Sequence, residues 1–165
     1  MPENGKERAP VKNLYPWKSR TKVLKQAEIE LASCELQTIG IIRSPIKTRA
    51  EAPRQGLEGG PDAWLEIDPR FTECLDGLAA SQEIIVITWF HQAKRDVFKV
   101  RPRSIPDSPI TGVFATRSPD RPNPLGLHQV IIREMNGTRL RIGPMEAIDG
   151  TPVVDIKPVL CAMQK

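Results

Sequence analysis

The stretch "LHQVIIREMNGTRLRIGP", Leu127 to Pro144, decides the fold, because it predicts two strands joined by a tight turn. β-Branched and other apolar residues recur along both arms, as they do in strands. Asn136-Gly137, between the arms, is the strongest two-residue hairpin signal that a sequence can carry. The fold is therefore built outward from an antiparallel pair.

Short strands separated by proline and glycine are predicted on both sides of this hairpin. They cover Leu36–Pro45, Ala63–Ile67, Glu83–Phe90, Asp96–Val100 and Gly150–Pro158. The run "EIIVITWF", Glu83–Phe90, contains only β-branched and aromatic residues after its first residue, which predicts a strand covered on both faces. One short helix is predicted over Phe71–Ala80, with Asp68 as its N-cap and Pro69 in its first turn.

Many short strands with no alternation of strand and helix exclude a doubly wound nucleotide-binding fold and favour a closed or nearly closed barrel. The sequence also lacks a GxGxxG motif. The predicted fold class is mainly β: a single-sheet β-barrel with one or two short helices, plus an N-terminal extension. The expected domains are a basic extension over residues 1–36, whose last part can form the second short helix, and a barrel over residues 37–165.

Composition limits the function without choosing it. The chain has 165 residues, with 24 Lys and Arg against 20 Asp and Glu, and a pI of about 9.1. This charge permits polyanion binding but also suits any mildly basic soluble protein. The basic extension is interpreted as a solvated arm in preference to an RNA-binding tail.

The cysteines and the hydropathy pattern indicate a cytoplasmic protein that binds neither a metal nor a membrane. Three widely spaced cysteines and two histidines fit neither a disulfide framework nor a zinc site. A reducing cytoplasm suits such cysteines. No apolar run approaches the roughly 18 residues of a membrane span, and the first residues do not resemble a signal peptide.

The segment "GVFATRSPDRPNPLG", Gly112–Gly126, carries the clearest functional signal. Its three prolines predict a rigid loop that leaves a strand ending near Thr116. A loop fixed in advance lowers the ordering entropy of binding, and the guanidinium groups of Arg117 and Arg121 suit two-pronged contacts with carboxylate or phosphate. The alternative is that both arginines pair with nearby acids and that the prolines merely end the strand.

Five segments together resemble the TrmO family, also called YaeB-like or TsaA-like proteins. In order they are "IGIIRSP", "APRQG", "WFHQ", "GVFATRSPDRPNPLGL" and "DGTPVVDIKP", and the resemblance spans about residues 38–160. It implies a single-sheet β-barrel methyltransferase that uses S-adenosylmethionine and works as a homodimer. The implied substrate is the N6 nitrogen of threonylcarbamoyladenosine, beside the anticodon of tRNA. Two alternatives are a non-catalytic barrel that binds a nucleoside-like molecule as a sensor or interaction module, and a methyltransferase for another small acceptor.

The resemblance also implies a cofactor site in this sequence. Its residues are Pro53, Arg54, Gln55, His91, Gln92, Arg117, Leu127, Met145, Glu146 and Ala147. Arg117 is suited to the cofactor's carboxylate and Gln92 to its adenine or ribose, while Leu127 and Met145 can form apolar walls. Without the resemblance, His91 would be interpreted as a polar residue at a strand end.

Four further residues are expected to contact the substrate. Arg121 and Asn123, on the proline-rich loop, are expected to face tRNA phosphate or the threonyl carboxylate. Asp155 and Lys157 share one face of the last predicted strand, since side chains alternate along a strand. A structural ion pair from this strand to Arg117 or Arg121 is the alternative.

A general base is expected for the methyl transfer, and the sequence departs from the family at three positions. Asp149 is the first candidate for the base, and deprotonation assisted by the substrate itself is the rival. The sequence has His128 where the family commonly has serine, Glu146 where it has aspartate, and Val159 where it has tyrosine.

Overall fold

The computed structural model describes residues 35–102 and 108–160. The predicted extension over residues 1–36, including its helix, lies almost wholly outside them. Within the described residues there are three short 3-10 helices, Gly56–Glu58, Pro69–Leu75 and Val113–Ala115, and no helix long and apolar enough to cross a membrane. The strands are β1 (Gly40–Arg43), β2 (Ala63–Ile67), β3 (Glu83–Trp89), β4 (Lys99–Val100), β5 (Thr111–Gly112), β6 (Leu125–Asn136), β7 (Arg139–Gly143) and β8 (Pro152–Pro158).

Six of these strands form a closed barrel in the order β1-β2-β7-β6-β3-β8. Every neighbouring pair is antiparallel, and β1 closes the barrel by pairing with β2 on one side and β8 on the other. The predicted mainly-β, single-sheet barrel is therefore confirmed. β4 and β5 pair only with each other, as a two-stranded ribbon outside the barrel. The predicted strand Asp96–Val100 is reduced to the two residues of β4.

The core fills the barrel interior with every second side chain of each strand. Its fully buried members include Ile42, Leu65, Ile84, Ile132, Leu140 and Val153. The expectation that β3 is covered on both faces is wrong: Val86 and its inward neighbours are buried, whereas Ile85 and Ile87 point outward and are only half-buried. A single barrel has one interior, so the outer face of β3 keeps apolar residues that the described chain does not fully cover.

The predicted hairpin is confirmed, with its turn displaced by one residue. Asn136 and Arg139 are register partners, so the turn residues are Gly137 and Thr138. Gly137 has a φ of 59°, which a glycine adopts at low cost at the first position of a type II′ hairpin turn. Asn136 therefore ends β6 and does not enter the turn.

The predicted helix after β2 is present in a shorter and tighter form. It is a 3-10 helix over Pro69–Leu75, and Asp68 caps it by accepting a hydrogen bond of 2.9 Å from the backbone N–H of Arg70. The cap and the position of Pro69 are confirmed. The expected extent to Ala80 is wrong, because Asp76, with a ψ of 130°, leaves the helical conformation, and Gly77 follows with a φ of 89°.

Three of the barrel's connections leave from one end. They are residues 44–62 between β1 and β2, residues 90–124 between β3 and β6, and residues 144–151 between β7 and β8. The antiparallel register places their strand ends side by side, for example Ala63 opposite Ile142 and Thr88 opposite Val153. We call this the loop end. The opposite end, with the turn at Gly137 and the helix Pro69–Leu75, is the hairpin end.

Candidate functional site

The loop end gathers every cofactor-binding residue predicted from the sequence. Pro53–Gln55 lie in the β1–β2 connection, and His91-Gln92 follow β3 directly. Arg117 lies in the β3–β6 connection, Leu127 near the start of β6, and Met145–Ala147 in the β7–β8 connection. Segments far apart in the sequence thus meet at one barrel mouth, a common position for a small-molecule site.

Asp120 joins two of these connections. Its carboxylate pairs with Arg49 at 3.1 Å and accepts a hydrogen bond of 2.9 Å from the backbone N–H of Lys94. Partial burial acts to raise the pKa of Asp120, but the hydrogen bonds from Arg49 and Lys94 outweigh it and hold the pKa below its ordinary value. Asp120 therefore stays ionised at neutral pH and holds the proline-rich loop against the β1–β2 connection.

The two arginines of the proline-rich loop have different surroundings. Arg121 donates from Nε to the carbonyl of Ser118 at 2.8 Å, and from Nη2 to the carbonyls of Thr116 at 2.6 Å and Val113 at 3.2 Å. Arg117 is exposed and has no hydrogen-bond or ion-pair partner among residues 35–102 and 108–160. Over these ranges neither arginine pairs with an acid. Arg121 stabilises the loop from within, and Arg117 is left available to a ligand.

A buried polar cluster that the sequence analysis did not assign lies just inside the loop end. The imidazole of His128 is fully buried, with Nε2 2.8 Å from the hydroxyl of Thr88 and Nδ1 2.9 Å from Oε1 of Glu146. The second contact is short but poorly aligned with the ring N–H direction, so we describe it as electrostatic. Alternation along β6, with Gly126 and Val130 also pointing inward, is the signal that could have placed His128 in the interior.

Gly126 provides the space that this cluster occupies. A Cβ atom at this position would lie 2.5 Å from the hydroxyl of Thr88 and from the ring of Phe90, and 2.6 Å from Nε2 of His128. The Phe90 ring meets the imidazole edge-on, with centroids 5.7 Å apart. Only glycine leaves room for the histidine at this point of the barrel.

Glu146 brings a mostly buried carboxylate to the barrel mouth. Its side chain is 16% exposed, between the fully buried Met145 and the buried Ala147. Its second oxygen, Oε2, faces the backbone of Gly56, directly after Pro53–Gln55: a Cβ at Gly56 would lie 2.9 Å from it. A carboxylate in this position can accept hydrogen bonds from a ligand's hydroxyl or ammonium group.

Asp149, the predicted base, is engaged in the β7–β8 connection. Oδ1 accepts from the backbone N–H of Ser44 at 3.0 Å, and Oδ2 pairs with Nζ of Lys47 at 3.0 Å. The hydrogen bond from Lys47, followed by that from Ser44, holds the pKa of Asp149 below its ordinary value. These contacts favour a structural role, because a lowered pKa makes the carboxylate a weaker base.

The predicted substrate residues do not all meet at the loop end. Asn123 is exposed on the proline-rich loop, close in sequence to Arg121. Asp155 and Lys157 lie further along β8 and pair with each other at 2.8 Å, as their shared face predicts. The alternative pairing of Asp155 with Arg117 or Arg121 is not observed. Asp155 also borders an apolar cavity of about 290 Å³ at the hairpin end.

The described residues contain no group of three or more His, Cys, Asp or Glu side chains that could hold a metal ion. Cys74, at the border of the hairpin-end cavity, is a free and exposed thiol.

Comparison with known proteins decides the family. Residues 41–164 match the profile of the tRNA-methyltransferase O N-terminal domain. The chain belongs to this family. The resemblance predicted from the five sequence segments is confirmed, and the TrmO-family match spans all the barrel residues from β1 to β8 except the first residue of β1.

Relatives of this TrmO-family chain include both binding proteins and enzymes. A probable S-adenosyl-L-methionine-binding protein of Methanothermobacter thermautotrophicus is 42% identical over 123 residues, 74% of this chain and 88% of the relative. The tRNA (adenine(37)-N6)-methyltransferase of Escherichia coli (strain K12) is 36% identical over 139 residues, 79% of this chain and 59% of the enzyme. The crystal structure of TrmO from Pseudomonas aeruginosa matches with a TM-score of 0.64 and 34% identity over 79% of this chain and 58% of that one. The chain thus spans somewhat more than half the length of these two TrmO-type proteins.

Proposed function

We propose that this chain is an S-adenosylmethionine-dependent methyltransferase that methylates the N6 nitrogen of threonylcarbamoyladenosine beside the anticodon of tRNA. The observation that carries the proposal is the unpartnered guanidinium of Arg117, on a loop that Arg121 holds rigid, at the barrel end where the family's site residues meet. Family membership and the tRNA methyltransferase of Escherichia coli among the relatives support the same reaction.

The residues at the loop end fit the polar groups of S-adenosylmethionine. Arg117 would bind the carboxylate of the cofactor, and Glu146 would accept hydrogen bonds from its ribose hydroxyls or its ammonium group. Leu127, 53% exposed near the start of β6, offers an apolar wall. Pro53, Arg54, Gln55, His91 and Gln92 would supply the remaining contacts from the two neighbouring connections.

S-adenosylmethionine, when bound, supplies a methyl group on a positively charged sulfur. The work left to the protein is to align the acceptor nitrogen with that methyl group and to exclude water. Such positioning accounts for a large part of an enzyme's acceleration, since effective molarities of well-oriented reactants reach about 10⁵ M or more. A loop held rigid by Arg121 and by the Asp120 ion pair suits this task.

The acceptor nitrogen must also lose its proton during methyl transfer. As the nitrogen–methyl bond forms and the sulfur–methyl bond breaks, this proton must pass to a base. Asp149 stays the first protein candidate, but its ion pair with Lys47 and its lowered pKa favour the rival, deprotonation assisted by the substrate itself.

The tRNA would approach the proline-rich loop. Asn123 is exposed there and is proposed to contact the RNA. Arg121 donates hydrogen bonds from Nε and Nη2 within the loop, so Nη1 is the atom proposed to contact the RNA. Asp155, in the middle of β8, and Lys157, nearer the end of β8 away from the loop end, would contact only a more distant part of the tRNA.

A homodimer is part of the proposal, with its interface on the outer face of β3 and β6. Ile85 and Ile87 of β3 and Ile131 of β6 are half-buried apolar residues on this face. Replacing Ile85 with Asp should shift the protein to monomers in analytical ultracentrifugation. Replacing the exposed Leu160 with Asp, outside this face, should leave the dimer intact. A cytoplasmic location is also proposed, since an exposed free thiol at Cys74 suits a reducing compartment.

The proposed reaction is tested with purified protein, S-adenosylmethionine and tRNA that carries threonylcarbamoyladenosine. Mass spectrometry of the digested nucleosides should show this nucleoside with one added methyl group. Unmodified adenosine at the same position should not react, because its N6 lacks the threonylcarbamoyl group. Cofactor binding without any methylated product would contradict the proposal and favour a sensor or interaction module.

A further inference from the structure

The inserted ribbon, residues 90–102 and 108–124 between β3 and β6, carries features that the cofactor site does not use. We propose that this ribbon binds the anticodon loop of tRNA and that its exposed rings, Phe98 and Phe114, stack on unpaired bases. The inference rests on the proposed function, because it names the surface that would hold the substrate of that reaction.

The ribbon is attached to the site at both of its ends. His91 and Gln92 begin it, directly after β3, and Arg117 lies near its end. β4 and β5 pair through Lys99 and Gly112, and the N–H of Val113 donates to the carbonyl of Phe98 at 3.0 Å. This bond fixes Phe98 beside Val113, which immediately precedes Phe114. Phe98 and Phe114 thus lie where the two strands of the ribbon join the barrel, next to the loop that carries Arg117.

Both rings are exposed to an extent that the fold does not require. Phe98 is 69% exposed and Phe114 is 82% exposed. Large apolar side chains grouped on a surface mark a binding site, because exposure gives up the stabilisation that burial would supply. A flat ring offers a stacking platform for a base, and every base has a face that can use it.

The positive charge of the ribbon favours nucleic acid as its binding partner. Its described residues include six Lys and Arg against two Asp. One of those acids, Asp120, is paired with Arg49 outside the ribbon. Lys99 has no carboxylate partner over the described ranges, Lys94 shares Asp120 with Arg49 through a charge interaction, and Arg95 lies over the ring of Trp89 at 5.0 Å. A second copy of the chain would bring the same positive charge to such an interface, whereas RNA phosphates would neutralise it.

The chemistry of the substrate calls for this kind of surface. A base that is to be methylated must leave its stack to enter a pocket, and its neighbours then lose their stacking partners. Proteins that bind single-stranded RNA loops replace those partners with aromatic side chains. Phe98 and Phe114 are placed to do so beside the proposed pocket.

The test measures the affinity of the full chain for an anticodon stem-loop RNA that carries threonylcarbamoyladenosine. Fluorescence anisotropy should show about tenfold weaker binding for Phe98→Ala and for Phe114→Ala, and a larger loss for the double variant. Phe98→Trp and Phe114→Tyr should keep most of the affinity, because they preserve a stacking ring. Leu160→Ala, which removes an exposed apolar side chain outside the ribbon, should change nothing.

Two further measurements on the same variants separate the possible causes. Cofactor affinity by calorimetry and the unfolding temperature should match the wild type, so that lost RNA binding cannot be attributed to misfolding. Analytical ultracentrifugation should show an unchanged oligomeric state. Dissociation of the double alanine variant would overturn the proposal by assigning the ribbon to an interface between copies.

The outcomes for the ribbon and for the proposed reaction are distinguishable. Methylation of tRNA by the wild type, combined with undiminished RNA affinity in the double alanine variant, would overturn the ribbon proposal and leave the reaction intact. RNA binding that depends on the two rings, without methyl transfer, would support the ribbon and contradict the reaction. A wild-type chain that binds no stem-loop RNA would overturn the ribbon proposal outright.

Discussion

The two ends of the barrel are built from the same strands and differ in what their connections contain. At the hairpin end the chain passes between strands through the turn at Gly137 and the short helix Pro69–Leu75, around an apolar cavity. At the loop end, long connections carry the ion pair of Asp120, the carbonyl contacts of Arg121 and the buried His128–Glu146 contact. Polar side chains there fix loops that contain little regular secondary structure: the two-stranded ribbon and two short 3-10 helices.

This difference shows how a small barrel can present a rigid binding surface. Backbone groups in irregular loops lack ladder partners, so each must find a hydrogen bond elsewhere or remain hydrated. Arg121 supplies three such bonds with one guanidinium group, and the prolines remove backbone freedom between them. The loop is therefore fixed before any ligand arrives, and Arg117 does not have to take part in holding it.

The largest expected effect comes from Arg121→Ala. Three carbonyl contacts are lost, and a hydrogen bond from a charged group contributes about 1.5–3 kcal/mol. We expect the loop to lose about 3 kcal/mol of local stability, measured as faster amide exchange over residues 113–124. Arg117→Ala is the matched control and should leave exchange unchanged, since its side chain makes no hydrogen bond or ion pair with the described residues. Equal effects of the two substitutions would contradict their different roles.

The next effect concerns Gly126, where the barrel core meets the loop end. Gly126→Ala should lower the free energy of unfolding by about 2 kcal/mol, because its Cβ would overlap Thr88, Phe90 and His128. Gly112→Ala is the matched control: its Cβ would meet nothing within 4 Å and its φ is −60°. Chemical denaturation measures both, and a Gly126→Ala variant as stable as the wild type would contradict the packing described around His128.

A smaller effect is expected for cofactor binding by Arg117→Ala. Loss of the guanidinium should weaken S-adenosylmethionine binding about tenfold in calorimetry, with the unfolding temperature unchanged. Arg117→Lys should restore part of the affinity, because the charge returns without the planar fork. A variant that binds the cofactor as tightly as the wild type would remove Arg117 from the site.

The smallest effect concerns Asp149 and depends on pH. Its folded pKa is lowered, so its contribution to stability is present above the unfolded value of about 3.9 and is lost as pH falls through the folded value. Asp149→Asn keeps an acceptor for the N–H of Ser44 but loses the charge that pairs with Lys47. We expect a loss below about 1 kcal/mol at pH 7, which shrinks as the pH falls through the lowered pKa of Asp149. Retained methyl transfer in this variant would assign the proton to the substrate, whereas abolished transfer at unchanged stability would restore Asp149 as the base.

The strands could be predicted from the sequence because their signals are local. β2 begins and ends where its pattern indicates, and the Asn136-Gly137 dipeptide marks the hairpin within one residue. The half-exposed outer face of β3 could not be predicted, since a run such as "EIIVITWF" does not reveal whether a second layer covers it. The helix after β2 is shorter than predicted because the backbone leaves the helical conformation at Asp76 and Gly77.

Much of the site could be located from the sequence, but its internal contacts could not. The five family segments place the site residues at one barrel end. They do not reveal that Arg121 donates hydrogen bonds to carbonyls, or that Arg117 has no hydrogen-bond or ion-pair partner in the described part of the chain. The contact between His128 and Glu146 joins β6 to the β7–β8 connection. It depends on the barrel's closure and on the space left by Gly126, and neither is a property of a local sequence pattern.

The central claim is that the cofactor binds at the loop end, and hydrogen–deuterium exchange with and without S-adenosylmethionine tests it most directly. The account predicts added protection over residues 53–58, 90–92, 113–127 and 145–150, with none around the helix Pro69–Leu75 or the turn at Gly137. Protection confined to those hairpin-end segments, or no protection at a saturating cofactor concentration, would contradict it.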